Sequence, residues 1–225
     1  MTASELTDGR ARGPALALLA AASAAVALTA LPRAELSPAE ALTAGAAIVV
    51  FLAPLFAPLR CRPAALTAWV GGAGALGVLI GALLAAPRAV SFAHIVAVAL
   101  LSAALLFVVL GLAGRAARFV GEEFARLASV GLLAVASAAP LWLGPLALES
   151  GSDGRVASGL LALSPLVHLA VAAGADLLRS PWFYAHTSLG SLRFDYPAAS
   201  ILALCYGAAA LGVAALSRFR QELSV

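Results

Sequence analysis

Seven apolar stretches dominate this sequence, each 18 to 25 residues long, and six of them hold no charged residue. They run over 14–31, 41–59, 64–86, 90–114, 127–148, 156–178 and 198–216. A bilayer core of about 30 Å is crossed by roughly 20 helical residues, each rising about 1.5 Å. In lipid, a backbone satisfies its polar groups only by coiling on itself or by closing a barrel. These runs are continuously apolar rather than alternating, so the sequence predicts an all-α fold, a polytopic transmembrane helical bundle. Composition agrees: 63% of the residues are hydrophobic and 11% charged, against about 45–50% and 25% in soluble domains. All 225 residues are therefore read as a single integral membrane domain.

Every one of the 14 basic residues is arginine. Without lysine the chain has no Gly-Lys-Ser/Thr phosphate loop and no Schiff-base lysine, so any ATP that drives it binds another subunit. The net charge of +3 is scattered as short clusters between spans, which sets topology rather than gripping nucleic acid. With the N-terminus inside, Arg10, Arg12, Arg60, Arg62, Arg115, Arg118 and Arg126 lie inside, while Arg33, Arg88 and Arg155 lie outside. That asymmetry places the N-terminus in the cytoplasm. Cys61 and Cys205, at a membrane border and within an apolar run, are read as small packing residues.

Individual stretches carry further signals. The first, after Arg10 and Arg12, reads as an uncleaved helix, with a signal-peptide core as the alternative. Pro54 and Pro58 remove backbone donors near the end of the second and are expected to bend it. Gly77 and Gly81 form a small-xxx-small pair in the third, which admits close helix packing. Arg115 to Arg126 is the one strongly charged segment; Arg118 with Glu122 and Glu122 with Arg126 stand four residues apart, with Phe119, Val120 and Phe124 on an apolar side. This pattern predicts a short helix along the membrane surface, with a solvated loop as the alternative.

The stretch 156–178 is interrupted by Ser164-Pro165, His168, Gly174 and Asp176. A central Asp costs about 2.5–3.5 kcal/mol on insertion, against about 0.3–0.6 gained per Leu or Val. A re-entrant or interfacial helix pair before the last span is thus preferred, giving six spans; a full crossing would give seven. The following segment is dense in Trp182, Phe183, Tyr184, Phe194 and Tyr196, the composition of an aromatic interface belt.

Ionisable residues at membrane depth mark candidate sites, and here they are His94, His168 and Asp176. Together with His186 and Asp195 they have no recognised metal-ligand spacing, and Ser191 lies in no nucleophile elbow. No metal, cofactor or enzymatic activity is expected.

The final third resembles the membrane subunits of ABC-2-type transporters. The resemblance lies in LSPLVHLAVAAGADLLR, Leu163 to Arg179, which follows a fifth span and leads through an outer loop to a last span with an arginine-rich tail. In that family an Asn-Pro or Ser-Pro before an apolar stretch often begins re-entrant helices between spans five and six, and Ser164-Pro165 stands at that place. The resemblance implies a permease subunit in a prokaryotic inner membrane, moving an amphipathic or lipid-linked substrate with a separate ATP-binding subunit. It further implies a homodimer or heterodimer of permease chains. Ser164, Pro165, His168, Asp176, Trp182 and Tyr184 become candidates for the substrate path or outer gate. By charge and position, Arg115, Arg118, Glu122, Glu123 and Arg126 are candidate partner contacts. The alternative is a non-catalytic structural subunit of a larger membrane complex.

Overall fold

The computed structural model describes residues 37–57, 59, 72–82, 90–143, 145, 149, 155–177 and 196–222. Among them the regular structure is entirely helical: α1 (Pro38–Phe56), α2 (Gly72–Ala82), α3 (Phe92–Val120), α4 (Glu122–Trp142), α5 (Arg155–Leu163), α6 (Pro165–Ala173) and α7 (Ala199–Glu222). The stretch 14–31 lies outside the described residues, and 64–86 is described only over α2. Of the six expected spans, three described helices are long and apolar enough to cross a bilayer: α1, α3 and α4. The bent pair α5 and α6 is a fourth if counted as one span. In α7 the apolar part is shorter, Ser200–Val213.

Local chemistry sets the helix ends. The Ser37 hydroxyl accepts from Glu40 N (3.3 Å) and the Glu40 carboxylate accepts from Ser37 N (2.7 Å), a capping box with Pro38 at the first helical position. Toward the other end of α1, Pro54 withholds an N–H, and the helix stops two residues later at Phe56.

The separate surface helix expected over Arg115 to Arg126 does not form. Instead α3 runs on through Val120, α4 begins at Glu122, and one residue, Gly121, turns the chain between them. Its backbone (φ 89°, ψ 157°) lies in a region that only glycine occupies comfortably. Arg118 and Glu122 are thus on different helices, whereas Glu122 and Arg126 remain on one.

Contacts at the arginine end give the helix directions. Leu59 N donates to Glu122 Oε1 (3.2 Å), Arg126 donates to Ala57 O (3.2 Å), and Arg115 donates to Val213 O (2.7 Å). The ends of α1 and α3, the start of α4 and the later part of α7 therefore meet there. α1, α3 and α7 run toward that end and α4 runs away from it. Val49 and Val50 of α1, Ile95, Val98 and Leu106 of α3, and Leu169 of α6 are fully buried in one core. By contrast α4 turns Leu127, Leu132, Val135 and Trp142 outward.

Candidate functional site

The break between α5 and α6 follows from one dipeptide. Pro165 disfavours a helical backbone at Ser164 and cannot donate to the preceding turn. Ser164 is accordingly extended (φ −91°, ψ 108°), and the two helices meet at 90°. Its buried hydroxyl does two jobs, accepting from Val167 N (3.4 Å) as the cap of α6 and donating to the Ser137 carbonyl of α4 (3.0 Å). At the other end of α6, Gly174 takes a left-handed backbone (φ 73°). Ala175 N donates to Ala170 O (2.8 Å) and Gly174 N to Val171 O (3.1 Å), closing the last turn.

Between these two ends α6 is enclosed by α1, α3, α4 and α7. His168 sits on it with 5% of its surface exposed. Its Nδ1 is 2.8 Å from the Tyr206 hydroxyl of α7, and the rings meet edge to face with centroids 5.7 Å apart. The tautomer decides which of the two donates. Nε2 is buried and has no hydrogen-bond partner among the described residues, and the same holds for the hydroxyls of Ser102 on α3 and Ser137 on α4. One of these atoms is on α6 and two are on neighbouring helices, and a polar atom buried without a partner costs about 1–3 kcal/mol.

A second polar group lies at the C-terminal end of α6. Tyr196, just before α7, donates to Asp176 Oδ1 (2.5 Å). The ring of His94, in the first turn of α3, lies over Gly174 so closely that a Cβ there would stand 2.7 Å from His94 Cε1. His94, Gly174, Asp176 and Tyr196 therefore tie the starts of α3 and α7 to the end of α6.

Of the sequence candidates, Ser164, Pro165 and His168 gather at or just beyond the elbow and Asp176 stands just past the C-terminal end of α6; Trp182 and Tyr184 lie outside the described residues. Gly77 and Gly81 are both buried in α2. Among the partner-contact candidates, Arg115, Glu122 and Arg126 engage groups within the chain, Glu123 is exposed but pairs with Arg126 (3.1 Å), and Arg118 stands exposed. No group of three His, Cys, Asp or Glu residues is placed to hold a metal among the described residues. Sequence reasoning passed over Tyr206, the partner of His168, although a lone phenol in ILALCYGAAA is a polar tip at membrane depth. It also passed over Gly111, where α3 meets Val213 of α7.

Beside this site an apolar groove of about 360 Å³ opens between α3, α6 and α7. No family model matches the chain, and neither a curated protein nor a solved structure is detectably similar to it.

Proposed function

We propose that this chain is the membrane-embedded subunit of a transporter, moving an amphipathic or lipid-linked molecule with energy from a separate ATP-binding subunit. The observation that carries the reading is the α5–α6 pair, buried in the bundle and held at its elbow, its middle and its outer end by hydrogen bonds to other helices or by close contact. Two nine-residue helices at 90° reach about 19 Å end to end, short of a bilayer core of about 30 Å. That short reach favours a pair that enters and leaves on one face over a full crossing, and its backbone is tolerated at depth because protein surrounds it.

The helix directions fit six crossings. α1 ends at the arginine end and α3 begins at the opposite one, so the chain returns between Leu59 and Val90, through the region of α2. Adding 14–31, α4 and α7 gives six, with the arginine end and the N-terminus cytoplasmic in a prokaryotic inner membrane. Arg118, exposed at the tip of the α3–α4 hairpin, is then available to an ATP-binding partner. The apolar outer face of α4 supports a second reading, a structural subunit of a larger complex, because Leu127, Leu132 and Val135 present a side that another membrane chain can cover. The same face serves a dimer of permease chains.

Gentle solubilisation of the chain from its native membrane separates these readings. The transporter reading expects an ATP-binding subunit to purify with it and to hydrolyse ATP. Recovery with other membrane chains and no ATPase overturns that reading in favour of the structural one.

A further inference from the structure

We draw no further inference here: the strongest candidate, the set of buried polar atoms around α6 made up of His168 Nε2 and the hydroxyls of Ser102 on α3 and Ser137 on α4, belongs to the site already described, and nothing among the described residues shows what binds there.

Discussion

Gly111→Leu should destabilise the bundle by about 3 kcal/mol or more, the sum of overpacking and a lost charged hydrogen bond. The hydrogen of Gly111 faces the Val213 side chain so closely that any Cβ collides with it, and the chain at Val213 is the point where α7 meets α3. Arg115, one turn further along α3, donates to the Val213 carbonyl at 2.7 Å. Moving α7 outward to admit a leucine therefore breaks that bond as well. Gly114, three residues on, has the Leu59 carbonyl 3.0 Å from where its Cβ would be, so the same stripe of α3 also receives the chain beyond α1. Gly131→Leu is the matched control, since nothing lies within 4 Å of a Cβ there and the residue is exposed. Thermal unfolding of both variants in the same detergent measures the difference. Equal midpoints would show that the α3–α7 crossing is not close.

Arg126→Ala should cost about 2–3 kcal/mol, less than a fully buried pair would, because part of both side chains remains exposed. Arg126 and Glu122 retain only 16% and 23% of their side-chain exposure, their ion pair is 2.5 Å long, and each also holds the chain beyond α1. Arg126 donates to Ala57 O and Glu122 accepts from Leu59 N, so the two residues fasten that segment to the hairpin. Removing the arginine leaves a carboxylate with little water and a carbonyl without its donor. Lysine at 126 keeps the charge but not the fork that reaches Glu122 and Ala57 together, so it should recover less than half of the loss. The double variant with Glu122→Gln should be far less destabilised than the sum of the singles. Additive losses in urea unfolding would show that the two side chains act independently.

Much of this was legible in the sequence, and what was missed has physical causes. Uninterrupted hydropathy identified α3 and α4, because a bilayer tolerates no charge along a span, and Ser164-Pro165 marked the helix break because proline dictates it locally. The start of α1 was also written in the sequence, in Ser37-Pro38-Ala39-Glu40, although the apolar run itself begins at Ala41. At Gly121 two local signals competed: charge spacing over Arg118, Glu122 and Arg126 favours one helix, while a lone glycine marks a turn only when its neighbours impose a positive φ. The site itself was half visible. His168 stood out as an ionisable group in an apolar stretch, but its partner Tyr206 is 38 residues away, and no local pattern selects it. The same distance problem hid the Arg115–Val213 bond, made across 98 residues.

Cysteine labelling from the two sides of the membrane tests the central claim most directly. In a background with Cys61 and Cys205 changed to serine, single cysteines replace Arg155, Asp176 and Gln221 in turn, and intact cells are treated with a membrane-impermeant maleimide. A pair of helices that dips into the bilayer and returns puts positions 155 and 176 outside, both labelled in intact cells, with position 221 labelled only after lysis. Labelling of 155 and 176 from opposite sides would mean that the pair crosses, and the re-entrant reading would be wrong.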